Sequence, residues 1–81
     1  MKKRDNFDSD KAYGEYVGQN VVGGSVVRLR MDNQSLKMGH LGYVVSQTPY
    51  PGEGYLLNVN WSGRLVSLFS HRVEIQTPMP Q

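Results

Sequence analysis

One β-hairpin is predicted by the stretch Tyr55-Leu-Leu-Asn-Val-Asn-Trp61-Ser62-Gly63-Arg64-Leu-Val-Ser-Leu-Phe69. Its first arm places Tyr55, Leu57, Val59 and Trp61 on one face, and Leu56, Asn58 and Asn60 on the other. This period of two is typical of a strand. The pair Ser62-Gly63 is a two-residue hairpin turn between the arms. The stretch therefore predicts two antiparallel strands, 55–61 and 64–69.

Three further strands are predicted on either side of the hairpin. Residues 25–31 alternate, with Val27, Leu29 and Met31 on one face and Arg28 and Arg30 on the other. After a polar loop at 32–40, residues 41–46 form the next strand. The prolines and glycines of 48–54 predict a connection without regular pairing. Residues 70–72 predict a short 3₁₀ turn, and the last strand is 73–75.

Five short strands predict an all-β, five-stranded, SH3-like small barrel, because curling the sheet removes most of its exposed edges. An OB-type barrel is the alternative, but only two residues separate the third and fourth strands, where that fold often has a helix. We expect the barrel to span residues 21–77. Pro78 and Pro80 then prevent further pairing, so 78–81 is a C-terminal tail.

Residues 1–20 are predicted to be a flexible charged arm. Ser9 is placed to cap a short helical turn. Gly14 and Gly18 argue against a longer helix, because glycine is a poor helix former. The arm carries four basic and four acidic side chains, so the net charge of +2 lies entirely in residues 21–81.

Composition limits the classes of function. The chain of 81 residues has no cysteine, which excludes disulfides and thiolate zinc sites. It lacks an apolar run of about 18 residues and a signal-peptide pattern. We expect a cytoplasmic protein that does not enter membranes.

An enzyme is not expected, and neither is a cofactor, a metal or a small-molecule ligand. His40 and His71 are the only histidines, and their spacing does not suggest a metal site. Ser70 and His71 do not form a nucleophile–base pair, because adjacent residues on a strand point to opposite sides. Possible acid–base carboxylates lie in separate elements.

Two glycines, Gly39 and Gly42, stand where the polar loop enters the second strand. We interpret them as structural, supplying positive φ or close backbone approach. A phosphate-binding loop would more typically be followed by a helix. An aromatic cage built from Tyr43, Tyr50, Tyr55 and Trp61 with Glu53 is a further, less favoured alternative.

The chain resembles KOW-type domains and their SH3-like relatives over residues 23–76. The resemblance lies in Gly24-Ser-Val-Val-Arg-Leu-Arg30, in Lys37-Met-Gly-His-Leu-Gly-Tyr-Val-Val45, in Val59-Asn-Trp61 with Ser62-Gly63, and in Val73-Glu-Ile75. It implies contact with RNA, DNA or RNA polymerase, because such domains occur in ribosomal proteins and transcription elongation factors.

Two hypotheses follow for a non-enzymatic binding module. In the first, a basic barrel face contacts nucleic acid or the transcription or translation machinery. Arg28, Arg30, Lys37 and Arg64 would bind phosphate, and Tyr50 would stack on a base. In the second, favoured by the low net charge, the chain is a protein-interaction module, or a small regulator of phage type. It would dock on a larger enzyme through an edge strand or the loop Pro49-Tyr50-Pro51.

Overall fold

The computed structural model describes residues 2–76 and shows one antiparallel sheet with a helix packed against it. A 3₁₀ helix at Arg4–Asn6 precedes the helix α1, Asp10–Gln19. The strands are β1 (Val26–Leu29), β2 (Leu41–Tyr50), β3 (Gly54–Trp61), β4 (Arg64–Phe69) and β5 (Val73–Ile75), with a second 3₁₀ helix at Ser70–Arg72. Residue 1 and residues 77–81, which include the predicted tail, lie outside the described residues.

The five predicted strands are confirmed, in the order β4-β3-β2-β1-β5. The hairpin turn is also confirmed, since Ser62 and Gly63 have φ values of 55° and 89°, the positive pair typical of a type I′ turn. Closure into a barrel is not found within residues 2–76. β5 pairs with β1 at one end of the sheet, which leaves β4 as the opposite edge.

The strand β2 is longer than predicted. Thr48, Pro49 and Tyr50 pair with residues 54–56 of β3, so the connection predicted to be unpaired is wrong over most of its length. The turn is only 51–53, closed by the Glu53 amide donating to the Tyr50 carbonyl at 3.1 Å. Proline is tolerated in a strand where its nitrogen is not needed for a hydrogen bond to the neighbouring strand, and this accommodates Pro49 in β2. A bulge between Val44 and Ser46 bends the strand midway.

The expected flexible arm is wrong for residues 10–19, which form α1. The predicted cap is confirmed, because the Ser9 hydroxyl accepts from the Ala12 amide at 3.1 Å. The glycines that argued against the helix lie where it touches β3 and the preceding turn. A β-carbon at Gly18 would lie 2.0 Å from Cδ1 of Tyr55, and one at Gly14 would lie 2.4 Å from the Glu53 carbonyl. Tertiary packing therefore outweighs the low helix propensity of glycine.

The core lies between α1 and one face of the sheet. Trp61 is buried, whereas Phe69 is only half-buried. Two core residues, Tyr13 and Val17, come from the segment expected to be an arm. The other buried apolar residues are Val21, Val27, Leu29, Leu36, Val44, Leu57, Val59, Leu68 and Val73.

Candidate functional site

The face of the sheet that points away from the core carries exposed apolar residues, which we call the outer strip. It consists of Leu41, Tyr43 and Val45 on β2 and Leu65 on β4, which are 44%, 59%, 52% and 58% exposed. Apolar patches rimmed by polar groups mark interaction sites more often than do single exposed apolar residues. The outer strip is therefore the first candidate for a binding surface.

Strand alternation places the outer strip on one face. Gly42 and Val44 point into the core, so the residues between and beside them point outward. Tyr43 lies opposite Asn60, and Asn60 lies opposite Leu65, so these three residues form a row across three strands. Adjacent strands are separated by about 4.8 Å, so the Tyr43 and Leu65 backbones are roughly 10 Å apart.

Polar groups border the outer strip. The next row across the sheet is Ser46, Asn58 and Ser67, in which the Ser67 hydroxyl donates to Oδ1 of Asn58 at 3.2 Å. On the other side, Arg28 of β1 lies opposite Leu41. The result is a small apolar area with hydrogen-bonding groups at its rim, which is the usual composition of a protein interface.

Three of the predicted phosphate-binding residues adjoin the loop 32–40. Nη1 of Arg28 donates to the Gly39 carbonyl at 3.3 Å, and its Nε donates to Gln76 at 2.7 Å. Arg64 donates to the Ser35 hydroxyl. Lys37 is an exposed residue of the loop itself. The fold therefore brings Arg28, Lys37 and Arg64 to one loop.

The fourth predicted cation, Arg30, lies elsewhere. Its guanidinium is 5.3 Å from the centre of the Tyr13 ring and donates to the carbonyl of His71. Arg30 thus contacts α1 and the second 3₁₀ helix. The sequence predicts that Arg28 and Arg30 lie side by side on one exposed face. These contacts instead direct the two side chains to different parts of the molecule.

Tyr50 does not join the basic residues. It ends β2, whereas Arg28 lies opposite Leu41 at the beginning of that strand. Its ring packs edge-on against Phe69, with centroids 5.0 Å apart. The residues predicted to contact phosphate and the tyrosine predicted to stack on a base therefore lie at opposite ends of β2.

A polar cluster built around the buried residues Ser70 and His71 joins α1 to the sheet. Nε2 of His71 lies 2.7 Å from Oε1 of Glu53, and Nδ1 lies 3.9 Å from Oδ2 of Asp10. The Ser70 hydroxyl donates to the Gly14 carbonyl at 2.7 Å and accepts from the Tyr55 amide at 3.1 Å. Each group has a structural partner, so the cluster acts as a clamp between α1 and the β2–β3 turn.

Two ionisable side chains of α1 have shifted pKa values. Burial raises the pKa of the Tyr13 phenol to about 12, although the nearby Arg30 charge opposes the shift. Its hydroxyl donates to the Val73 carbonyl at 2.9 Å. A hydrogen bond from Arg4, 2.8 Å long, lowers the pKa of the Asp10 carboxyl. Both contacts tie the helix to its surroundings.

Comparisons with known protein families, curated proteins and solved structures find no match to this chain. No helix within residues 2–76 is long and apolar enough to cross a membrane. Over the same residues, no group of three or more histidines and carboxylates is arranged so that it could hold a metal ion. What the chain does is therefore inferred from the geometry of its described residues.

Proposed function

We propose that the chain is a non-enzymatic protein-interaction module that docks through the outer strip. The observation that carries the proposal is the row Tyr43–Asn60–Leu65, in which two exposed apolar side chains flank a polar one. A flat partner surface would cover the row together with Leu41 and Val45. Aromatic residues at the centre of an interface contribute a large share of its binding energy.

Apolar burial supplies the driving force in this proposal. Removing a leucine or valine side chain from water is favourable by roughly 1.5–3 kcal/mol when burial is complete. A centrally placed tyrosine contributes on the order of 2 kcal/mol at a hot spot. These contributions are offset by the loss of translational and rotational freedom, which suits a moderate, reversible complex.

The charge distribution favours a protein partner over nucleic acid. Nucleic-acid affinity depends on several cations free to contact phosphates. Here Arg28, Arg30 and Arg64 each donate to the chain's own carbonyl or side-chain oxygens. The net charge is only +2. A cytoplasmic location belongs to the same proposal, and the lack of cysteine fits a reducing compartment.

We also propose that the fold is an SH3-like variant related to KOW-type domains. The five-strand order, the long bent β2 and the single 3₁₀ turn between β4 and β5 support this assignment. Because one fold hosts many functions, the assignment is compatible with a partner in the transcription or translation machinery but does not identify one.

The test is capture from a nuclease-treated lysate of the cells that make the protein. We compare the wild-type chain with the double variant Tyr43→Thr, Leu65→Thr, in which the introduced threonines are β-branched and suit a strand. The control is Met38→Thr, which removes an exposed apolar residue outside the outer strip. We expect a specific protein to be retained by wild type and control and lost by the double variant. Retention by all three would contradict the proposal.

Nucleic-acid binding is the second candidate, favoured by the convergence of Arg28, Lys37 and Arg64 on the loop 32–40. It is tested by titrating single- and double-stranded DNA and RNA at two salt concentrations. If it is right, Arg28→Gln with Lys37→Gln weakens binding and lowers its salt dependence. Lys2→Gln with Lys11→Gln removes the same charge elsewhere and is the control.

A further inference from the structure

A cavity of about 210 Å³ lies along the free edge of β4. Four consecutive residues of that strand, 66–69, line it. Successive side chains of a strand point to opposite faces, so a cavity touching four in a row lies beside the backbone, not above one face. Leu56 of β3, which pairs with Phe69, also lines the cavity at the end of the strand, and the facing wall comes from Asn33, Gln34 and Arg72. The cavity thus lies where a sixth strand would pair.

The sequence of β4 itself supplies little protection against pairing. All six of its residues are in register with β3, without a bulge. It contains no proline, and its only charged residue is Arg64 at the start. Natural sheets commonly protect an edge with prolines, charges, bulges or a very short strand. The other edge, β5, has only three residues, including Glu74.

Arg72 gives the cavity a chemical preference. Within residues 2–76 its guanidinium makes one side-chain hydrogen bond, to the sulfur of Met31 at 3.7 Å, and sulfur is a weak acceptor. None of the ion pairs among these residues involves Arg72. Most of its five donors therefore remain available, beside the amides of Asn33 and Gln34. A carboxylate is the group that complements this wall, since it accepts two parallel bonds from an arginine.

We infer that the edge of β4 binds an extended segment of a partner protein as a sixth strand, with an acidic side chain of that segment on Arg72. The inference names a partner chemistry for the protein-interaction function proposed above and rests on it. Backbone hydrogen bonds to β4 supply affinity, and the carboxylate fixes the register. Leu65 lies on β4 and belongs to the outer strip. A strand added beside β4 therefore widens the outer strip by one strand.

The test uses synthetic peptides and the full chain. The probes are end-blocked peptides of alternating threonine and valine, about the length of β4, with one glutamate moved through the positions. Binding is followed by amide chemical shifts and hydrogen exchange. We expect shifts and protection in β4 for the peptide with the correct register. Replacing its glutamate by glutamine should weaken binding about tenfold, and N-methylation of the amides facing β4 should abolish it.

Protein variants give an independent readout. Arg72→Gln should lower the affinity for the glutamate peptide to the affinity that the wild-type chain has for the glutamine peptide. Arg64→Gln is the control, because it removes a charge from β4 without lining the cavity, and it should have a smaller effect. The peptide comparisons need no variant, so they remain decisive if Arg72→Gln folds poorly.

Three results with the peptides would overturn the inference: no shift in β4 with any peptide, equal binding of the glutamate and glutamine peptides, or binding that survives N-methylation. Dimerisation with β4 already protected from exchange would also overturn it, because a second copy would then occupy the edge. If the peptides fail while capture from the lysate still depends on Tyr43 and Leu65, only this inference fails. If both fail, the proposed function fails as well.

Discussion

Gly42 lies directly against the indole of Trp61, so a β-carbon added at Gly42 would be 2.6 Å from Cε3 of the ring. This contact fixes which face of β2 is buried. With Gly42 and Val44 turned inward, the larger residues Leu41, Tyr43 and Val45 are turned outward. The outer strip is therefore a consequence of the glycine–tryptophan packing.

Gly42→Ala should destabilise the fold by about 1–3 kcal/mol, because the methyl group overpacks against Trp61. Gly39→Ala is the matched control. Its φ of +91° is unfavourable for alanine, but the nearest atom, of Arg28, is 3.9 Å from the added carbon. That variant should lose about 1 kcal/mol. Urea unfolding of both measures the difference, and a larger loss at Gly39 than at Gly42 would contradict the packing argument.

Tyr13→Phe should lower stability at neutral pH by about 1 kcal/mol, because the Val73 carbonyl loses its donor. The difference in free energy of unfolding between wild type and Tyr13→Phe should narrow at alkaline pH. Burial raises the pKa of Tyr13 in the folded state to about 12 from an ordinary value near 10. The stabilisation is therefore complete below pH 10 and is lost as the pH rises toward 12. Urea unfolding at several pH values measures this. A difference in free energy of unfolding that stays constant from pH 10 to pH 12 would contradict this prediction.

Glu53→Ala should destabilise the protein by about 1–3 kcal/mol, because it removes the partner of a buried imidazole. The His71 side chain is only 7% exposed, and its Nε2 lies 2.7 Å from Glu53. Glu53→Gln, which retains a hydrogen-bonding group, should lose less. Thermal unfolding compares the two, and hydrogen exchange should show the larger loosening in α1. Equal stability of the alanine variant and wild type would show that the clamp contributes nothing.

The double variant Tyr43→Thr, Leu65→Thr should fold normally, with its free energy of unfolding changed by no more than about 0.5 kcal/mol. Both side chains are more than half exposed and lie outside the core. Circular dichroism and urea unfolding measure this. A large loss of stability would mean that the outer strip serves the fold instead of a partner.

The strands were predictable because period-two alternation and the Ser62-Gly63 turn are local signals. Helix α1 was missed because Gly14 and Gly18 weaken its local propensity, and the contacts that require them come from distant residues of the turn and β3. The outer strip was missed for a related reason. Alternation in 41–45 separates two faces but does not say which is buried, and the size of Leu41, Tyr43 and Val45 gives no sign that they face outward.

Whether the sheet closes into a barrel, and whether the basic residues share one face, depends on contacts between residues that are far apart in the sequence. Sequence placed Arg28 and Arg30 on one side of a strand, and β1 ends at Leu29, between them. Arg30 is then drawn to Tyr13 of the unforeseen helix. The convergence of Arg28 and Arg64 on the loop 32–40 follows from contacts that no local pattern encodes.

The most direct test of a protein-binding outer strip is photo-crosslinking in the cell with a benzophenone amino acid replacing Tyr43. The control carries the same group at Lys11, an exposed position on α1. We predict a discrete protein adduct at position 43 that is resistant to nuclease and absent from position 11. Adducts only to nucleic acid at position 43, or the same protein adduct at both positions, would contradict the account.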